Sequence, residues 1–314
     1  MNTALEPTLH YVTCPGAAAR GSAANHRMAY REWNATGDPA CPRIIVCVHG
    51  LSRQGRDFDT LAAALAPHAR VVCPDVAGRG DSDWLADPQG YQIPLYAADM
   101  LTLLTQLRQQ GPITTLDWVG TSMGGLIGMM LAGQQNLPLP ASIRRLVLND
   151  VGPALSWDAL QRIGQYLGAP LRFASEQQGA DALWAISTSF GPHTPEQWLA
   201  LSRPMLRPAP EGGFRLHYDP AIAVPFKALT SQSVQEGEAL MWQLYDQIGA
   251  RVLLLRGKQS DLLTPQTAAR MLARGPRPRM VEFEGIGHAP TLVAPDQVAA
   301  VTQFLLAPET AGSA

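Results

Sequence analysis

Apolar and polar positions follow one another along the chain in a repeating order. Residues 9–13 and 26–33 alternate in the strand manner across a Gly/Ala/Ser-rich turn, which predicts an opening antiparallel pair. After a turn at 37–42, residues 44–48 (I-I-V-C-V) are continuously apolar, as expected of a strand buried on both faces of a parallel sheet. A helical pattern at 59–66, a second buried run at 71–74 and a longer helical pattern at 95–109 come next. Residues 116–119 then end a strand, and Met123 opens a helix whose Leu126, Ile127, Met129, Met130 and Leu131 mark it as buried. A further strand at 143–148 ends in Asn149-Asp150.

This order of strands and helices predicts a mostly parallel α/β sheet with helices on both faces. It stops at Val151. From Pro153 to Gly237 the chain shows helical fragments, three tryptophans (Trp157, Trp184, Trp198) and a proline-rich piece at 204–210, without a strand-helix repeat. The alternation resumes at Glu238 with a helix to Ile248, strands at 252–255 and 280–283, and helices at 265–272 and 296–306. The division that follows is an α/β core of 1–152 and 238–314 with a helical cap, 153–237, inserted in it, its tryptophans forming a small core. The last residues are expected to fray.

Composition narrows the class. Of 314 residues 46% are hydrophobic and 16% charged, with a formal net charge of -2 and a pI near 6.4, which suits a soluble globular protein. Without a basic surplus nucleic acid is not an expected partner, and no run is long enough to suggest a membrane span. The opening M-N-T-A-L-E-P-T lacks the basic and apolar regions of a secretion signal. Cys14, Cys41, Cys47 and Cys73 show no C-x-x-C spacing, so neither a disulfide framework nor a zinc site is expected. These features lead to a reduced, cytoplasmic protein. Lys227 and Lys258 are the only lysines, so a cationic contact to substrate would be an arginine.

The candidate chemistry gathers at the junction of strand and helix. Gly120-x-Ser122-x-Gly124 has the spacing of a nucleophile elbow, in which small flanking residues let a strand turn abruptly into a helix with a strained serine at the corner. A serine hydroxyl attacks only when a base takes its proton, and the base needs an orienting acid. The strand at 252–255 leads to Ser260-Asp261 and the next leads to Gly287-His288, placing an acid and a base past two late strand ends. Asp150 follows an earlier strand and is the alternative acid. His49 is expected to hydrogen-bond beneath its loop, and Asp75 and Asp81 to shape theirs. Ser52, Arg53 and Arg56, in the loop after His49-Gly50, are candidates for the substrate pocket; an arginine there either holds a carboxylate or pairs with Asp57 or Asp59.

Together the H-G at 49–50, D-V-A-G-R-G-D-S at 75–82, G-T-S-M-G-G at 120–125, S-D at 260–261 and G-H at 287–288 resemble the landmarks of the α/β-hydrolase family, in order and from about Tyr30 to the C-terminus. The resemblance implies an eight-stranded sheet and a capped serine carboxylesterase-like hydrolase working through an acyl-enzyme, with Ser122, Asp261 and His288 as its triad. It also implies an oxyanion hole from the backbone N–H groups of Met123 and Leu51, with Ser52 second to Leu51. Serine at 122 departs from the aspartate of haloalkane dehalogenases. Ala289-Pro290 replaces the tryptophan that often follows the histidine in carbon-carbon bond hydrolases, and Ser52 the proline of perhydrolase-like esterases. The expected substrate is a small to medium aryl or alkyl carboxylic ester, and neither a metal nor an organic cofactor is required. Lactonase, thioesterase, acyltransferase and C–C hydrolase activities stay open, as does a catalytically silent ligand-binding homologue. Monomer and homodimer are both compatible with the sequence.

Overall fold

The computed structural model describes residues 6–22 and 24–308; residues 1–5 and the tail 309–314, where fraying is expected, lie outside the described residues. In chain order the strands are β1 (Thr8–Pro15), β2 (Asn25–Trp33), β3 (Arg43–Val48), β4 (Arg70–Pro74), β5 (Thr115–Thr121), β6 (Ile143–Asn149), the short β7 (Arg172–Phe173), β8 (Leu206–Pro208) and β9 (Phe214–Leu216), then β10 (Arg251–Gly257) and β11 (Arg279–Phe283). Eight of them form one sheet in the order β1-β2-β4-β3-β5-β6-β10-β11. The β1–β2 and β2–β4 pairs are antiparallel, and every later neighbour is parallel. This is the α/β-hydrolase fold.

The continuous apolar run in β3 has its explanation in the packing. Ile44, Val46 and Val48 enter the core on one face of the sheet, while Ile45 and Cys47 enter the core on the other. The first core is covered by α2 (Ile93–Gln110) and α3 (Met123–Gly133), following α1 (Asp59–Leu65), which packs on the opposite face.

Between β6 and the return of the core helices lie α4 (Trp157–Tyr166), α5 (Glu176–Ser187), α6 (Pro195–Ser202) and α7 (Ala223–Lys227). The region is not purely helical, as the sequence pattern suggests. Strands β7, β9 and β8 form a small antiparallel sheet whose β8–β9 hairpin turns through Gly212 and Gly213, at φ 96° and 69°. With pairs of only two or three residues there is no run long enough for a period of two to register. Trp198 is buried, donates its indole N–H to the Ala180 carbonyl at 2.7 Å and meets Trp184 edge-on at 4.9 Å. Trp157 lies apart from them, beside Leu160 and Leu262.

Helix α8 (Ser231–Asp246) begins ahead of the expected 238, because Thr230 and Ser233 close a capping box that satisfies its first turn. It is followed by α9 (Pro265–Ala273) and α10 (Pro295–Leu306), the latter packed beside α1. No helix among the described residues is long and apolar enough to cross a membrane.

Trp118 joins the sheet to the elbow. It is fully buried on β5, donates its indole N–H to the Gly124 carbonyl at 3.0 Å, and fills the space that a side chain at Gly128 would need. Trp118→Ala is expected to lower the unfolding free energy by about 3–5 kcal/mol, read from urea denaturation.

Candidate active site

Strand β5 turns into α3 through Ser122, which has φ 51° and ψ -114°. Such backbone costs roughly 1–3 kcal/mol and persists only when its surroundings enforce it. They do so here by close approach. A Cβ at Gly124 would stand 2.0 Å from the Val48 carbonyl oxygen, and one at Gly120 would stand 2.3 Å from that of Gly124. The Ser122 N–H donates to the Asn149 carbonyl at 3.0 Å, tying the corner to β6.

The Ser122 hydroxyl lies 2.9 Å from His288 Nε2, and His288 Nδ1 lies 2.7 Å from an oxygen of Asp150. The acid beside the imidazole is therefore Asp150 and not Asp261. Asp261 is 47% exposed and takes Nε and Nη2 of Arg162 at 2.8 and 3.0 Å. Strand register explains the difference. Thr121 of β5 pairs with Asn149 of β6, so Ser122 and Asp150 are each the next residue on neighbouring strands. Asn149 in turn pairs with Leu255, which leaves Asp261 six residues further on, past a turn. Asp150 shares the positive φ of Ser122, at 55°, and is fully buried.

The Asp150 carboxylate accepts from the Gly257 N–H at 2.9 Å and from the Ser260 hydroxyl at 2.6 Å, besides His288. With a carboxylate on Nδ1, that nitrogen carries the proton and Nε2 is left to accept from serine. The histidine loop is fastened to the residues after α5. The Ser189 hydroxyl donates to the His288 carbonyl at 3.1 Å, and the Gly287 N–H donates to the Ser189 carbonyl at 2.6 Å.

His49 sits under the neighbouring loop. Its Nε2 accepts the Val76 N–H at 2.9 Å, so its Nδ1–H donates to the Gly50 carbonyl at 2.7 Å. Burial pushes this imidazole down to about 3, with the Arg79 and Arg53 charges adding in the same direction, which keeps it neutral. Arg79 was not singled out by sequence. Fully buried, it donates to the carbonyls of Leu51 (2.9 Å) and Ala77 (2.7 Å) and to the Tyr96 hydroxyl (2.8 Å), and it reaches the Met123 sulfur at 3.7 Å. One guanidinium thus touches both residues expected to supply oxyanion N–H groups. Leu51 is part of the cavity wall, whereas the Met123 side chain is buried beside Arg79 and is not. Asp75 accepts the N–H groups of Gly55 and Asp81, and both Asp75 and Asp81 pair with Arg31.

A cavity of about 100 Å³ opens on Ser122 and His288. The helices between β6 and α8 supply much of its apolar wall, including Ile163, Tyr166, Leu183 and Ile186. Ser52 and Arg53 line it, but Arg56, paired with Asp59, does not. Arg53 is held by Asp57 at 2.6 and 2.8 Å and lies over the Phe190 ring. Arg162 lines the same cavity from α4; nothing in its helical sequence context distinguishes it from a surface arginine.

The sequence profile of the alpha/beta hydrolase family matches residues 45–301. The chain belongs to that family. The 3-hydroxybutyrate-oligomer hydrolase of Cupriavidus necator is 51% identical over 303 residues, which cover 95% of this chain and 97% of that one. An esterase of Mycobacterium tuberculosis is 26% identical over 85% of this chain and 82% of its own. Among solved structures, an alpha/beta hydrolase of Novosphingobium aromaticivorans superposes with a TM-score of 0.79 at 36% identity, covering 96% of this chain and 98% of that one. This alpha/beta hydrolase is a carboxylic ester hydrolase.

Away from the serine, one buried group among the described residues of this hydrolase could gather a metal ion: Cys14, His26 and Asp99, with donor atoms within 4.8 Å of one another. His26 spans the Ala17 carbonyl and Asp99 Oδ2, at 3.0 Å each, while Asp99 Oδ1 is buried without a hydrogen-bond partner among the described residues.

His49→Ala should strand the buried Val76 N–H, while the Gly50 carbonyl keeps the Arg53 N–H as a donor, and lower the unfolding free energy of this hydrolase by about 1–3 kcal/mol, measured by chemical denaturation.

Proposed function

We propose that the protein is a serine esterase that hydrolyses short oligoesters of small 3-hydroxy acids through Ser122, His288 and Asp150. The observation that carries this reading is the unbroken line from the Ser122 hydroxyl through both ring nitrogens of His288 to a fully buried carboxylate. As Ser122 attacks the acyl carbon, His288 Nε2 takes its proton, and Asp150 holds the ring and stabilises the imidazolium. Negative charge on the carbonyl oxygen is met by the N–H groups of Leu51 and Met123, each worth roughly 2.7–4 kcal/mol of barrier. His288 then hands the proton to the departing alcohol, leaving an acyl-Ser122 ester. A water activated by the same nitrogen hydrolyses that ester and regenerates the serine.

The nearly full-length likeness to the Cupriavidus necator enzyme supports the substrate class. So does the site itself, a small, mostly apolar cavity with two arginines and no aspartate or glutamate in its wall. Such a wall favours short acyl chains carrying a negative charge over long or cationic ones. We read residues 153–237 as the cap that closes over this substrate, on the ground that they line the cavity facing Ser122. Buried free thiols at Cys14, Cys47 and Cys73 support the cytoplasmic placement.

Two measurements test the reading. On p-nitrophenyl butyrate, Asp150→Asn is expected to lower kcat by about 10³–10⁴-fold, while Asp261→Asn costs no more than about tenfold. The reverse ranking would return the acid to Asp261. In a panel of esters, lactones and thioesters, kcat/KM should be highest for 3-hydroxybutyrate dimers and trimers. A clear preference for thioesters or for long-chain esters would overturn the substrate class.

A further inference from the structure

Two guanidinium groups stand in the cavity wall, and they are not equally available. Arg53 has a side chain only 11% exposed, gives two bonds to Asp57 and one to the Leu201 carbonyl, and is stacked over Phe190. It is committed to holding the loop beside Gly50. Arg162 is likewise paired with one aspartate, but its setting is more exposed. It projects from α4, is 40% exposed, and meets Asp261 through a bidentate pair that is itself at the surface. Asp261 stands outside the cavity wall, whereas Arg162 is part of it.

An exposed ion pair is weak, because water and salt screen it and both side chains lose freedom in making it. A bidentate guanidinium site is shaped for a carboxylate, and a second carboxylate can take the place of the first. Oligoesters of hydroxy acids supply one. Each carries a free carboxylate on its terminal unit, and in a dimer that group is two carbons from the carbon bearing the ester oxygen. In a cavity of about 100 Å³ the ester held at Ser122 and this carboxylate must lie close together.

We propose that Arg162 binds the free terminal carboxylate of the substrate, with Asp261 as the counter-ion it gives up on binding. The inference rests on the reading of Ser122 as an esterase nucleophile. Arg162 thereby sets the specificity for acid-terminated esters and directs cleavage to the bond nearest the carboxyl end. Asp261 acts as a competitor that tunes the affinity and lets the subsite rest occupied.

The test compares the 3-hydroxybutyrate dimer as its free acid with the neutral carboxamide of the same dimer, product release being followed by chromatography. The quantity read is the preference, kcat/KM for the acid over kcat/KM for the carboxamide. Arg162→Ala is expected to lower this preference at least about tenfold, and Arg162→Lys to recover part of it through a charge without the bidentate geometry. Asp261→Asn is expected to raise it about threefold or more, mainly through KM for the acid, by removing the competitor. A pair that merely latches α4 to the core would make Arg162→Ala and Asp261→Asn act in the same direction; that result, or an unchanged preference in Arg162→Ala, overturns the inference. Activity of the wild-type protein on p-nitrophenyl butyrate separates the two levels. If it is present while the preference fails to respond, only the role of Arg162 falls, and if the wild type hydrolyses none of the three esters, the esterase reading falls and the role of Arg162 with it.

Discussion

The close approach of one helix to two strands governs the rest of the site. The first turn of α3 lies so near β3 and β5 that neither Gly120 nor Gly124 has room for a Cβ, and the chain can pass from strand to helix only through a residue of positive φ. Ser122 occupies that place. The strain is held by backbone hydrogen bonds on both sides of the corner and by Trp118 packed beneath it. The same geometry places Ser122 at the N-terminus of α3, where a helix favours negative charge.

From that corner the sheet carries the arrangement outward by register. Ser122 and Asp150 follow residues paired across β5 and β6, and the Asp150 N–H is anchored to Leu255 of β10. Three parallel strands therefore set the distance between Ser122 and Asp150, and the loop after β11 has only to bring His288 between them. Ser260, from the loop after β10, donates to the Asp150 oxygen that also meets His288. Beneath the facing loop, neutral His49 and buried Arg79 fix the carbonyls of Gly50 and Leu51 without placing a mobile charge at the surface of the cavity.

Much of this was legible in the sequence because it is local. Continuous apolar runs bounded by glycine, proline and aspartate mark the parallel strands, and Gly120-x-Ser122-x-Gly124 marks a backbone crowding that no other residues tolerate. The choice between Asp150 and Asp261 was not legible in that way. Both follow strand ends, and only the pairing of β6 with its neighbours puts one of them level with Ser122. Asp261 reaches across to Arg162 instead, a contact between residues 99 positions apart that no short pattern encodes. Arg79 reads as part of a glycine-rich loop until its four partners are seen together. The short strands β7, β8 and β9 escape for a different reason: two or three residues cannot display a period.

The central claim is that the strained corner makes Ser122, and no other residue, the nucleophile. Reaction of the native protein with an alkyl fluorophosphonate followed by peptide mass spectrometry tests it most directly. The account predicts one stoichiometric adduct, on the peptide carrying Ser122, and its disappearance in Ser122→Ala. An adduct on another residue, or equal labelling of the Ser122→Ala variant, would contradict it.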